Sequence, residues 1–302
     1  MTTLAFLGSG SRKRPVTRTA IRAGEPAETI AVTSSAFLML ALVSLWFVLQ
    51  ALALGGLSEH RSQALLYSSF RQELAAATAP TGGVITPGTP VALVSIPALG
   101  VEQVVVEGTA SGDLLAGPGH LRSTPLPGQA GISVVFGRAS TYGAPFSEIT
   151  SLRVGDEVVA QNGQGSVTYH VADIRRAGDP FPAAPTGTQG RLTLVTAEGS
   201  GAFSALRPSA AVYVDATADK ALPAPGGLPA GVPASEQVMA SDTGALPMLV
   251  LCLALLVALT LGVSAARQRW STALVWVIAA PVAIALSWST SDVVMRLLPN
   301  LM

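Results

Sequence analysis

Three apolar segments constrain the fold of this 302-residue chain more than any other feature. They cover residues 30–57, 244–266 and 271–291. About 20 apolar residues are enough for a helix to cross a bilayer, so each segment predicts a transmembrane helix. The first segment is longer than the core of a cleaved signal peptide, about 7–15 residues, and therefore predicts an uncleaved anchor.

The positive charges around these segments predict their orientation. Five basic residues lie between positions 12 and 22, and Arg267 and Arg269 lie in the short hairpin between the last two segments. Short basic loops stay on the cytoplasmic side of a membrane. Both signals agree if residues 1–29 form a cytoplasmic tail, residues 58–243 lie outside the cell, and residues 292–302 form an outer tail.

Composition excludes several functions. The formal net charge is zero, so the chain lacks the excess of Lys and Arg that nucleic-acid binding requires. Its one cysteine, Cys252, lies inside an apolar segment, which excludes an internal disulfide and a metal site made of several cysteines.

The outer region divides into three parts. Residues 58–90 predict an amphipathic helix and a linker, and the helix either packs on the outer domain or lies along the membrane surface. Residues 91–217 contain short apolar or alternating runs separated by turn signals, with no long helix between them, which predicts a closed or nearly closed β-barrel. Residues 218–243 are rich in Pro, Gly and Ala and predict a second linker.

Three stretches of the outer domain resemble the sortase family, chiefly its actinobacterial branches. They are SIPALGVEQVVVEGTASGDLLAGPGHLRSTPLPGQAG, TYGAPFSEITSLRVGDEVV and RLTLVTA, in the order found in the family. The resemblance implies a mostly β protein: an eight-stranded sortase-like β-barrel outer domain, with three transmembrane α-helices, on the outer face of a bacterial plasma membrane. It also implies a cysteine transpeptidase.

The residues that such a transpeptidase needs are not at the positions that the resemblance assigns to them. The family's histidine is replaced by Arg138, and its cysteine nucleophile by Ala197 at the end of TLVTA. Alanine has no nucleophile, and arginine holds its proton too tightly to transfer it near neutral pH. Arg207 is the candidate for the family's third catalytic residue, an arginine.

Five residues are candidates for binding at this degenerate site: Arg138, Glu198, His120, Tyr142 and Thr196. In the family register, Arg138 takes the place of the histidine and Glu198 lies beside that of the cysteine, and we expect them to form an ion pair or a shared polar cluster that closes the cleft. No cofactor is expected. No metal is expected either, because the acidic residues of the outer domain are scattered and form no calcium loop.

The leading hypothesis is a membrane-anchored, catalytically inactive sortase-like protein whose barrel binds a partner in a cell-envelope or membrane-protein complex. The partner would be another membrane protein, a cell-envelope polymer, or the tail of a cell-surface protein bound as an extended peptide. A second hypothesis is an active transpeptidase or hydrolase with a displaced nucleophile, Ser200 or Ser204, and His120 as its base. A third is a barrel that serves only as a spacer.

Overall fold

The computed structural model describes residues 45–199, 209–266 and 269–302. Residues 46–302 belong to one compact unit. Most of the first predicted membrane helix, residues 30–44, lies outside the described residues, so the prediction of a third transmembrane helix stays open.

Eight strands close into a barrel in the order β1-β2-β3-β4-β7-β8-β6-β5. They are β1 (Pro90–Ile96), β2 (Val101–Glu107), β3 (Gly119–His120), β4 (Gly131–Phe136), β5 (Glu157–Asn162), β6 (Gly165–Arg176), β7 (Gly190–Glu198) and β8 (Ala210–Ala218). The pairs β2/β3 and β4/β7 are parallel, and the other neighbours are antiparallel. The predicted eight-stranded barrel is confirmed.

The two faces of β7 have different environments. Leu192 and Leu194 point into the barrel, where they join a core of buried Val, Ile, Ala, Phe and Tyr side chains. Val195 and Ala197 belong to a second apolar cluster on the outer face. Successive side chains of a strand point to opposite faces, so this alternation follows directly from the sequence. Burial of the residues on both faces shows that other parts of the chain cover the outside of the barrel here.

The parallel pairing of β4 and β7 brings their carboxyl ends to one edge of the barrel. Phe136 is opposite Val195 in the register, and the Gly137 amide donates to the Val195 carbonyl at 2.9 Å. The residues that follow both strands therefore lie side by side, although about 60 positions separate them in the sequence.

A long helix, α1 (Gly55–Ala75), packs on the barrel and is preceded by a π-helical turn, Gln50–Leu54. Phe70 is buried in a cluster with Val104. The Gln63 amide bonds to both main-chain groups of Val104, donating to its carbonyl at 3.0 Å and accepting from its N–H at 2.8 Å. It also donates to the Ala116 carbonyl at 2.8 Å. Of the two alternatives for this helix, the structure has the one in which it packs on the outer domain.

Two further helices, α2 (Leu246–Ala266) and α3 (Thr272–Arg296), are long and apolar enough to cross a membrane. Their candidate spans have mean hydropathies of 2.7 and 1.8 and are mostly unburied within the protein. The two candidate spans support association of the protein with a membrane. Helix α3 continues to Arg296, whereas the third apolar segment of the sequence ends at about residue 291.

The second linker lies against the barrel rather than free in solvent. The Leu222 amide donates to the Gly128 carbonyl at 2.9 Å, and the Leu222 carbonyl accepts from the Ala130 amide at 2.8 Å. Farther along, Glu236 is 3% exposed and pairs with Arg122. The Pro, Gly and Ala content of residues 218–243 predicted a linker, and the structure shows that contacts with the barrel hold this linker in place.

Replacing Gln63 with Ala should loosen the contact between α1 and the barrel. The change leaves the Val104 N–H and two carbonyl groups without partners, which costs about 1–3 kcal/mol for each buried group that stays unsatisfied. Hydrogen exchange of the full chain in detergent micelles should become faster in β2 and α1. Gln72→Ala on the exposed face of α1 is the matched control and should leave exchange unchanged. Equal exchange in the two variants would contradict this role of Gln63.

Candidate functional site

The edge where β4 and β7 end holds both positions that the resemblance assigns to catalysis. Arg138 follows β4 by two residues, and Ala197 is the penultimate residue of β7. The register of the two parallel strands makes these positions neighbours. The chemistry of the site therefore depends on what surrounds Arg138 and Ala197.

Arg138 is fully buried and uses all five of its N–H groups. Its Nε donates to the Leu114 carbonyl at 3.2 Å, and its Nη2 donates to both oxygens of Ser111 at 2.9 Å. Its Nη1 donates to Thr141 Oγ1 at 2.9 Å and to the main-chain oxygen of Met302 at 3.1 Å. A guanidinium has five donors, so none remains for a ligand.

The partners of Arg138 extend the network in two directions. Thr141 Oγ1 donates to the Met302 oxygen at 2.6 Å, and Ser111 Oγ donates to the Met295 carbonyl, in α3, at 2.9 Å. Burial lowers the pKa of Arg138 to about 10, which still leaves it charged at neutral pH. Arg138 therefore acts as a structural cation that holds the end of the chain on the barrel.

Tyr142 connects the same turn to helix α3 and to the π-helical turn Gln50–Leu54. Its hydroxyl donates to Asp292 of α3, its amide donates to the Ala51 carbonyl at 3.4 Å, and the Arg138 guanidinium lies 5.6 Å from its ring centre. Tyr142 and Ala144 have φ values of 50° and 46°, which are uncommon for residues with a side chain. Burial is the main reason that the pKa of Tyr142 is raised. Contacts with α3 and with the π-helical turn thus hold the Tyr142 turn in an uncommon backbone conformation.

Ala197 lies under the last residues of the chain. We call residues 297–302 the tail segment. Leu301 is fully buried in one cluster with Ala197, Phe136 and Ala211, and its carbonyl accepts from the Ala139 amide at 3.0 Å. Asn300 also donates through its side chain to the Thr109 carbonyl at 2.8 Å. The tail segment thus occupies the space next to both assigned catalytic positions.

The expected ion pair between Arg138 and Glu198 is wrong. Glu198 instead pairs with Arg176 of β6, with Nε–Oε1 and Nη2–Oε2 distances of 2.6 and 3.1 Å. Arg176 reaches Glu198 across β8, whose Val212 and Ala210 are their respective register partners. Glu198 is partly exposed, and Arg138 is directed into the protein, so the two charges have separate partners.

His120 and Thr196 are buried and have structural partners. His120 Nδ1 lies 2.8 Å from Glu107 Oε2, and its Nε2 lies 2.9 Å from the Pro125 carbonyl. Both ring nitrogens of His120 therefore have oxygen partners within the protein. Thr196 Oγ1 donates to the Gly137 carbonyl at 3.1 Å. Of the five candidate residues, the structure brings Arg138 and Tyr142 together and places Thr196 beside the Arg138 turn.

Three other candidates, Ser200, Ser204 and Arg207, lie outside the described residues. Within the ranges that the structure describes, no three His, Cys, Asp or Glu side chains are grouped so as to hold a metal ion.

An open groove continues from the tail segment along the outer face of the barrel, and we call it the outer trough. Its volume is about 300 Å³. The floor is formed by Ile132, Val134 and Phe136 of β4, Arg191 and Thr193 of β7, and Tyr213 and Asp215 of β8. Phe181, which is 89% exposed, and Pro182 line it from the loop between β6 and β7. The floor is thus apolar along β4 and carries polar and charged groups on β7 and β8.

Comparison with family models agrees with the fold of the barrel. A family model described as a sortase domain matches residues 94–213. This part of the chain therefore belongs to the sortase family. No curated protein matches the chain.

Several solved sortase structures are similar to the chain. A sortase D5 transpeptidase of Clostridium perfringens is 22% identical, with 52% of this chain and 96% of that chain covered and a TM-score of 0.41. The SrtA sortase of Actinomyces oris is 26% identical, with 46% and 84% covered and a TM-score of 0.39. The SrtF sortase of Corynebacterium diphtheriae is 24% identical, with 52% and 97% covered and a TM-score of 0.39.

Sequence reasoning missed the tail segment and the polar residues that attach it. The signal was available in part: Asp292 and Arg296 are charged residues at the end of an apolar segment, and four of the six residues after them are apolar. Charged residues at such positions usually have a partner. The sequence does not show that this end of α3 contacts the turns around Ser111 and Tyr142.

A cysteine placed at position 197 should react slowly with thiol reagents, because Ala197 is 6% exposed beneath the Leu301 cluster. In a Cys252→Ala background, Ala197→Cys should label at least about tenfold more slowly than Ser147→Cys, which lies on an exposed turn. Adding Leu301→Asp should raise the rate by placing a charge in the apolar cluster. Labelling of both cysteines at the same rate would mean that the tail segment does not cover the site.

The turn that binds Arg138 should make stability depend on pH through Asp113. Burial, with a further contribution from Glu236, raises the pKa of Asp113 to about 6. The folded protein then keeps a proton that the unfolded chain releases between about pH 4 and 6, so stability falls as pH rises through this window. Relative to wild type, Asp113→Asn should gain about 1–2 kcal/mol between pH 4 and 7.5.

Thermal unfolding of the full chain in detergent at both pH values measures this difference. Glu157→Gln, an exposed carboxylate on β5, is the control and should show no such gain. A constant difference between Asp113→Asn and wild type across this pH range would contradict the assignment.

Proposed function

We propose that this protein is a membrane-anchored, catalytically inactive member of the sortase family whose barrel binds an extended segment of a partner protein. The single observation that carries the proposal is that the tail segment fills the site beside Ala197 while the adjoining outer trough stays open. Binding and catalysis use different residues, so a groove can keep affinity where the chemistry has been lost.

The loss of catalysis is argued from the environments of two residues. Ala197 offers no nucleophile, and each N–H of Arg138 already has an acceptor. A histidine at position 138 would lose most of these hydrogen bonds, because an imidazole has two nitrogens where the guanidinium has five donors. The surroundings of position 138 therefore favour arginine, whose five donors match the acceptors around it, over the catalytic histidine of the family.

The binding role is argued from the trough itself. Its floor is a row of outward-facing side chains on β4, β7 and β8, and Phe181 at its edge is almost fully exposed. Strands bind extended peptides through pockets that accept alternate side chains. An exposed aromatic residue beside such a pocket provides the contact area on which interfaces depend.

We further propose that the barrel lies on the outer side of the plasma membrane and the amino-terminal tail in the cytoplasm. This orientation rests on the basic residues before position 30 and in the hairpin at 267–269. The partner is then another membrane or cell-surface protein. Contacts of Tyr142 and Ser111 with α3 support assembly at the membrane, since they hold the barrel close to a candidate span.

An active enzyme with a displaced serine is the second candidate function, and one observation weighs against it. His120 is 1% exposed, and both ring nitrogens already face oxygen partners. To act as the base for Ser200 or Ser204 it would have to leave the Glu107 carboxylate, at the cost of a buried charge-assisted hydrogen bond.

A photo-crosslinking experiment tests the binding role. A photoreactive amino acid placed at Ile132, on the trough floor, should form adducts with a partner polypeptide in membranes of the native cell. The same residue placed at Val154, which is 75% exposed but outside the trough, should not form these adducts. Identical adducts from the two positions would contradict a partner in the trough.

A turnover assay tests the absence of catalysis. The purified full chain should release no product from sorting-motif peptides, with or without an amine acceptor. Turnover that disappears in Ser200→Ala or Ser204→Ala would overturn the proposal in favour of the displaced-nucleophile enzyme.

A further inference from the structure

Arg191 lines the outer trough and has an uncompensated charge. Its side chain is 7% exposed, and its Nη2 donates to the Ala183 carbonyl. Its Nε is buried without a hydrogen-bond partner. Among the residues that the structure describes, no carboxylate lies within ion-pair distance of it.

The other buried arginines differ from Arg191 in this respect. Arg175 is paired with Asp215, which also accepts from Thr193 Oγ1 at 2.6 Å. Arg138 has five hydrogen bonds. A buried charge is costly unless it is paired or fully hydrogen-bonded, so Arg191 lacks a partner that its environment favours.

Resting on the function proposed above, we propose that the outer trough binds an extended peptide that carries an acidic side chain, and that this carboxylate pairs with Arg191. The Arg175–Asp215 pair is internally neutral, so Arg191 leaves this part of the trough with one net positive charge. The site is therefore complementary to a negatively charged ligand group.

The dimensions of the trough fit a short peptide. Arg191 and Val195 are four residues apart on β7, which is about 13 Å along the strand and the length of about four extended residues. The end near Val195 is apolar, with Phe136 and Tyr213, and is bounded by the tail segment. A bound segment thus has an apolar residue at this end and its acidic residue at the other.

The proposed partner contributes an extended segment from within its chain, so the carboxylate at Arg191 is an Asp or Glu side chain rather than the end of a polypeptide.

Fluorescein-labelled hexapeptides provide the probe. One series has Glu at each of the six positions in turn, in a background of Leu and Ala, with both chain ends blocked. A second series replaces Glu with Gln, and a third has no acidic side chain but a free terminal carboxylate. Fluorescence polarisation measures their binding to the full chain in lipid nanodiscs. At least one Glu peptide should bind about tenfold more tightly than its Gln counterpart, as a charge-assisted pair predicts.

Two variants test the residue. Arg191→Met should bind the Glu and Gln peptides equally while unfolding at the same or a higher temperature, since it removes an unpaired buried charge. Arg176→Gln, which removes an exposed arginine outside the trough lining, should keep the preference for Glu. Arg191→Lys keeps the charge and should keep part of the preference.

Each alternative outcome has a separate meaning. Equal binding of Glu and Gln peptides to the wild-type chain, or a Glu preference that survives in Arg191→Met, would overturn the role of Arg191 and leave the proposed peptide-binding function standing. Preference for the free terminal carboxylate alone would overturn the side-chain assignment. If no peptide of any series bound, the peptide-binding function itself would fail, and this inference with it.

Discussion

The guanidinium of Arg138 joins three parts of the molecule that are far apart in the sequence. Its five hydrogen bonds reach the turn after β2, its own turn after β4, and the main chain of Met302. A buried cation is tolerated only when its donors are satisfied, so these three segments must be in place together. The tail segment, the Tyr142 turn and the contact with α3 all depend on this one charge.

Arg138 and Arg191 illustrate two states of a buried arginine on the same side of one barrel. Arg138 lies at the end of β4 and has a complete set of oxygen partners within the chain. Arg191 lies at the beginning of β7 and lacks them among the described residues. The first arrangement stabilises a closed site, and the second favours a ligand.

Much of the fold was predictable from local patterns. Short alternating strands separated by turns predicted the barrel, and apolar segments of sufficient length predicted α2 and α3. The environments of the candidate residues were less predictable. Glu198 pairs with Arg176 rather than Arg138 because β6 and β7 are both neighbours of β8, an order that does not follow the sequence. His120 is buried against Glu107 because β2, β3 and β4 are adjacent, a contact between strands that local sequence patterns do not show.

By itself, the sequence determined that the chain has a barrel and apolar helices, and that position 197 holds no nucleophile and position 138 no residue able to transfer a proton. Those are properties of single residues and of short periodic runs. Only the tertiary structure decided what occupies the site and which charge is left without a partner. The physical reason is that burial and pairing are set by contacts between distant segments: Arg138 and its acceptor Met302 are 164 positions apart.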